Sequence, residues 1–286
     1  MSHDLRNLLD LERYPLDRPD SEGYRAAVVD ARAGLRSDGC AIVRSLVRPD
    51  ALRLLDDEIV ERKPTTHYST QTINPYFHPE PNPAYPDRHP VNTFLERSSG
   101  FIPGDSWEAG CATDVVFRAP ELARFLADCL EVSELHCYAD PLAGLTANIL
   151  DPGQQFTWHF DTNDFAVTVL VDESDEGGLF EYVPDIRSAG DEGFEHIQEI
   201  LEGGRRGVVT LDLRPGDLQI FRGRYSLHRV TRVPSGSRPR HAAIFAYTER
   251  PGVIGRVTRT RQLFGRVLPA HLAAEEARVR SDQLID

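Results

Sequence analysis

In Thr157-Trp158-His159-Phe160-Asp161 an imidazole and a carboxylate stand two positions apart. On an extended strand that period puts both side chains on the same face. Presented together they make two-thirds of a 2-His-1-carboxylate facial triad, a donor set that holds Fe(II) and leaves coordination positions open. The chain has 10 histidines, so a single His-x-Asp pair gains weight only if a second histidine converges on it. His228, in Ser226-Leu227-His228-Arg229-Val230, is the candidate, downstream of the turn and apolar strand Leu213-Arg214-Pro215-Gly216-Asp217-Leu218-Gln219-Ile220-Phe221. Beyond it Arg240 opens the apolar stretch Ala242–Ala246. A planar guanidinium offers paired donors to a carboxylate and keeps its charge when buried. Arg238 competes for that role, but it precedes Pro239 and reads as part of a turn.

Short strands must carry these groups. From Leu145 to Thr248 the chain reads as eight of them, near 145–150, 157–161, 165–171, 178–183, 207–213, 217–221, 226–231 and 240–248, with a helix at 192–201 before Gly203-Gly204. Eight such strands suit a double-sheet jelly roll. The expected fold is therefore mainly β with flanking helices around a double-stranded β-helix core. Upstream, helices are expected over 24–37, after Asp50, and over 120–130, with a buried strand at Cys40–Val43. The stretch 63–107, rich in Pro, Tyr, Asn, His and Thr, reads as one long lid-like loop. A tail helix over His271–Arg280 is expected to pack outside the barrel. One domain over 1–286 follows, with an N-terminal helical and loop part (1–138), a jelly-roll core (139–250) and a C-terminal helical extension (251–286).

Composition sets the outer limits. A net charge of −13 opposes nucleic acid or an anionic membrane as partner, since both select a positive surface. No apolar run is long enough to span a bilayer, and the N-terminus lacks a secretion signal. Cys40, Cys111, Cys129 and Cys137 form no CxxC pair, which points to free thiols in a reducing cytoplasm.

His159-x-Asp161, His228 before Arg-Val, and Arg240 on the last strand resemble the Fe(II)/2-oxoglutarate-dependent oxygenases. The match is nearest to bacterial enzymes that hydroxylate or halogenate free amino acids. It runs through Asn148-Ile149-Leu150-Asp151-Pro152-Gly153, Trp158-His159-Phe160-Asp161, Gly177-Gly178-Leu179-Phe180-Glu181-Tyr182-Val183-Pro184 and Gly223-Arg224-Tyr225-Ser226-Leu227-His228-Arg229-Val230. The resemblance implies His159, Asp161 and His228 as iron ligands, Arg240 as the grip on 2-oxoglutarate, and O2 as oxidant. Halogenating members carry Gly or Ala at the carboxylate position; Asp161 departs from that pattern and favours hydroxylation of a small polar metabolite such as an amino acid. Desaturation, cyclisation or halogenation at the same iron site, or a non-catalytic jelly-roll binding module, are the alternatives. Thr168 is a candidate second contact to the cosubstrate, or a half-buried strand threonine. Asn148, Thr157, Glu181 and Arg224 are candidate substrate contacts; each has a structural alternative. Carbon position, stereochemistry and oligomeric state carry no signature in these residues.

Overall fold

A computed structural model describes residues 3–162 and 165–276. The elements in order are α1 Leu5–Leu8, α2 Glu22–Asp38, β1 Cys40–Val43, α3 Pro49–Arg62, β2 His67–Ile73, β3 Leu95–Ile102, α4 Ala112–Arg118, α5 Pro120–Leu130, β4 His136–Cys137 and β5 Leu145–Leu150. They continue as β6 Phe156–His159, β7 Phe165–Asp172, β8 Phe180–Val183, α6 Phe194–Leu201, β9 Val209–Thr210, β10 Leu218–Phe221, β11 Leu227–Val230, β12 Arg240–Thr248, α7 Val257–Phe264 and α8 Pro269–Glu276.

Two antiparallel sheets face each other. The larger runs β1-β10-β7-β12-β5-β3-β2, with β4 added beside β12, and the smaller runs β6-β11-β8-β9. This is the expected jelly roll. The outer face of the larger sheet packs on α2 to α5 through a core that includes Leu55, Ile59, Phe117, Phe125, Val167, Ile220 and Phe245. That cover explains why β5 is buried at every position instead of alternating. Two smaller apolar clusters fill the space between the sheets and under α6 and α7.

One expectation is corrected. The 63–107 stretch is not one long loop: β2 and β3 pair along their whole length, His67 opposite Phe101 through Ile73 opposite Leu95, and β3 joins β5. Its strands escaped notice because the covered face of β2 carries His67, Ser69 and Gln71, so burial alternates without hydrophobicity alternating. The C-terminal extension lies over strands of the larger sheet. Residues 257–264, read as tail, form α7, which lies against β2 and β3 and sends Phe264 into the cluster containing Phe101 and Phe156. Of the helix expected over 271–280, residues 271–276 lie in α8 and the rest fall outside the described residues. The short α1 and α4 also went unread.

A buried latch fixes this extension. Asp140 Oδ1 accepts from the N–H groups of Leu142 and Ala143, and its Oδ2 accepts from Gly255 N–H (2.9 Å) and His271 Nε2 (3.0 Å). His271 Nδ1 in turn accepts from Leu268 N–H at 3.0 Å. His271→Ala should cost about 1–3 kcal/mol, the usual range for orphaning a buried partner. Urea unfolding measures that loss, and limited proteolysis should cut the variant first beyond residue 250. Unchanged stability together with an unchanged cleavage pattern would show that the pair is not a latch.

Candidate metal centre

β6 and β11 are neighbours in the smaller sheet, and their register places His228 directly opposite His159. Both imidazoles are buried, at 3% and 5% exposure, with ring centroids 4.0 Å apart. Asp161 follows β6 at the mouth of the barrel, its Oδ1 lying 3.9 Å from His159 Nε2 and 3.5 Å from His228 Nε2. All three ligand atoms fall within 4.8 Å of one another.

The second nitrogen of each ring fixes its tautomer. His159 Nδ1 lies 2.7 Å from the Thr157 carbonyl oxygen, and His228 Nδ1 lies 2.9 Å from that of Ser226. A carbonyl can only accept, so each Nδ1–H donates, and Nε2 is the ring nitrogen each turns toward Asp161. Burial, with the charge of His228 next, drives the His159 pKa well below its ordinary value despite the nearby carboxylate. Asp161 is drawn down to about 2: burial works upward, but the imidazoles of His228 and His159 outweigh it. A neutral imidazole and an anionic carboxylate result. Two imidazole nitrogens and a carboxylate oxygen converge within 4.8 Å in a buried place, so the donor set fits a divalent metal. The two-His, one-carboxylate composition is the one suited to Fe(II).

Two cavities meet at this point. One, of about 80 Å³, runs inward past His159, Asp161 and His228 to Asn148, Thr168 and Arg240. The other, of about 100 Å³, opens on the opposite side of Asp161 toward α7, past Phe156, Thr162, Arg259, Leu263 and Phe264. Asp161 and Phe156 line both. Arg240 is 4% exposed, and among the described residues no acid pairs with it. Burial pushes its guanidinium down to about 10, still protonated at neutral pH. Arg238, by contrast, sits outside and pairs with Asp175 and Asp172.

The remaining sequence candidates divide. Thr168 faces the inner cavity, opposite Ile244 and Gln219 on the flanking strands. Asn148 lines it too, while donating through Nδ2 to the Gly100 carbonyl at 3.1 Å. Glu181 does not face the site, because β8 turns Phe180 inward and Glu181 outward. Its carboxylate is neutralised by Arg229 (2.6 Å) and Arg205 (2.8 Å). Arg224 also lines neither cavity; its Nη1 donates to the Thr162 carbonyl at 3.4 Å, bracing the residue after Asp161. Thr157 enters through its carbonyl, which orients His159, and its side chain is absent from both linings. Sequence reasoning missed Arg259, whose helix shows no strong periodic apolar pattern, and Arg97 of β3. A second acid–histidine cluster, Asp56, Asp172 and His241, lies under α3, where His241 Nδ1 meets Asp56 at 2.7 Å and Arg238 engages Asp172.

Fold and donor set together define a class: a 2-oxoglutarate-dependent non-haem iron oxygenase. The Halogenase D family profile matches residues 107–258, and the chain belongs to that family. Among solved structures it is similar to an oxidoreductase of the 2OG-Fe(II) oxygenase family from Burkholderia pseudomallei (12% identity, TM-score 0.52, covering 79% of this chain and 92% of that one). It is also similar to the non-haem alpha-ketoglutarate-dependent epimerase SnoN of nogalamycin biosynthesis (14% identity, TM-score 0.52, 78% and 83%). AviO1 from Streptomyces viridochromogenes Tue57 shares the fold at 15% identity, TM-score 0.50, with 80% and 96% covered. No curated protein matches the sequence. No helix among the described residues is long and apolar enough to cross a membrane, and the four cysteines are free.

Gly223 tests the geometry. A Cβ at this position would lie 1.9 Å from Asp161 Oδ2, while the Gly223 carbonyl accepts from Asp161 N–H at 3.0 Å. Gly223→Ala should therefore push the carboxylate aside and weaken Fe(II) binding about 10- to 100-fold, the range for a disturbed ligand support. Anaerobic metal titration measures this. Full affinity in the variant would show that Asp161 is not held at the metal.

Proposed function

We propose that this oxygenase hydroxylates an unactivated C–H bond of a small polar metabolite, a free amino acid or a derivative of one. The observation that carries this reading is the convergence of His159 Nε2, His228 Nε2 and Asp161 Oδ1 in the lining of a cavity that also holds the Arg240 guanidinium, which no acid pairs among the described residues. His159, Asp161 and His228 would hold the iron. Bound there, the iron supplies the coupling of O2 reduction and 2-oxoglutarate decarboxylation to substrate oxidation.

This chain's own residues do the positioning. Arg240 receives the far carboxylate of 2-oxoglutarate in the inner cavity, whose lining Thr168 shares. Phe156, Phe180, Phe221, Val230 and Ile244 line the path between and exclude water. Retention of Asp161 leaves one position fewer for a halide than a site with Gly or Ala there. Hydroxylation is therefore favoured over the halogenation for which the family is named. The acidic chain charge supports a free small molecule rather than nucleic acid as substrate.

Anaerobic protein with Fe(II) and 2-oxoglutarate should show a weak visible charge-transfer band. His228→Ala should abolish metal binding and band together. Arg240→Gln should keep the metal but weaken 2-oxoglutarate about 30-fold or more, as expected for truncating one partner of a buried charge pair. A band of undiminished 2-oxoglutarate affinity in Arg240→Gln would remove Arg240 from this role. Screening free amino acids for stimulated succinate release should identify a substrate. In chloride buffer its product should gain one oxygen and no chlorine; a chlorinated product would overturn the hydroxylase reading.

A further inference from the structure

Asp161 lies just beyond the end of β6, so the ladder that pairs His159 with His228 does not extend to it. Three hydrogen bonds hold the turn instead. Phe160 N–H donates to the Pro75 carbonyl and Asp161 N–H to that of Gly223, both at 3.0 Å, and Arg224 Nη1 reaches the Thr162 carbonyl at 3.4 Å. A ring adds a fourth hold. The side chain of Phe160, between the two ligands in sequence, lines neither cavity and is buried in the apolar cluster under α6.

Arg187, in the connection from β8 to α6, joins these holds. Its guanidinium lies 3.8 Å from the centre of the Phe160 ring and 5.8 Å from that of Tyr76, and the two rings stack at 5.6 Å. The three groups close a triangle. From the same guanidinium Nε donates to the Arg224 carbonyl at 2.8 Å, and Nη1 pairs with Glu192 at 3.1 Å. One side chain thus grips the residue before Asp161 by its ring and the Gly223–Arg224 turn by its backbone. That turn supplies both the carbonyl that receives Asp161 N–H and the arginine that braces Thr162.

The plainer account is a core ion pair that serves packing alone. Arg187 is 3% exposed, and burial pulls its guanidinium below the ordinary range against the pull of Glu192. A buried pair of this kind is often no more stabilising than apolar residues of the same volume. An apolar side chain could cover the two rings, but it could not also donate to the carbonyl of residue 224. A planar guanidinium does both. Its charge is met by Glu192 and it lines neither cavity, so it serves the frame of the site and not a ligand.

We propose that Arg187 is a positioning residue for the metal centre: by tying the Phe160 ring to the Gly223–Arg224 turn, it holds Asp161 Oδ1 toward the two imidazoles. The assignment rests on the reading of His159, Asp161 and His228 as iron ligands and extends it to a residue outside the lining of the site.

The test uses the whole protein with Arg187→Met and Glu192→Gln made together, so that no buried charge is left alone. Anaerobic titration should show Fe(II) affinity falling about 10- to 100-fold, the range for a lost outer support. Saturated with Fe(II) and 2-oxoglutarate, the variant should show its charge-transfer band displaced from the wild-type wavelength, because the band reports the donor set. The melting temperature of the metal-free protein should stay close to that of the wild type. Phe160→Leu should weaken Fe(II) similarly, and adding it to the double variant should cost less than the product of the separate factors, since both act on one turn. Should the double variant not fold, Arg187→Lys carries the same expectations for affinity and band: it keeps the charge opposite Glu192 but lacks the fork. Unchanged affinity and band position would overturn the proposal, as would fully multiplicative losses. So would a lowered melting temperature with affinity and band intact, which would make the pair a strut. Absence of Fe(II) binding in the wild type would instead overturn the metal centre itself, and this proposal with it.

Discussion

Two backbone carbonyls decide what this protein can do. By accepting from His159 Nδ1 and His228 Nδ1, Thr157 and Ser226 leave Nε2 as the ring nitrogen that faces Asp161 in both. Each histidine bonds the carbonyl two residues before it on its own strand, so the same local device is used twice. The antiparallel register of β6 against β11 then brings the two rings together. The energetics follow from burial: a neutral imidazole is cheaper to bury than a charged one, and burial drives the His159 pKa down. The remainder of the fold, from the helices behind the larger sheet to the latch at Asp140, keeps these strands in register.

Much of this was legible in the sequence because the barrel obeys local rules. Strand periodicity marked 145–150 and 240–248 to the residue, and the spacing of His159 and Asp161 announced a shared direction. Proline after Arg238 separated the outward arginine from the inward one. What stayed hidden was the β2–β3 hairpin. β2 and β3 carry His67, Ser69, Gln71, Arg97 and Ser99 where a structural strand would carry apolar residues, so the alternation that signals a strand was missing. Glu181 and Arg224 failed as site candidates for the opposite reason. Charged residues among apolar neighbours suggested a pocket, yet Glu181 is satisfied by arginines from β11 and the turn after α6, partners too distant in sequence to foresee.

Membership of a family named for halogenation does not fix the reaction. The fold supplies strands and a donor pair of histidines; the outcome depends on how many positions the protein itself occupies at the metal. On the proposed reading an aspartate at 161 takes one, and Gly223, lacking a Cβ, is what lets its carboxylate sit where it does. A glycine chosen for close approach, without a positive φ, points to a carboxylate that has to be there.

The same reasoning applies to the unpaired arginine. A buried cation that no acid neutralises lowers stability unless something binds it, and marginal stability gives selection every opportunity to replace it. Glutamine or leucine at 240 would fill similar volume without the charge. On the proposed reading the cation persists because it meets the far carboxylate of the cosubstrate, while His159, Asp161 and His228 hold the metal in the lining of the same cavity.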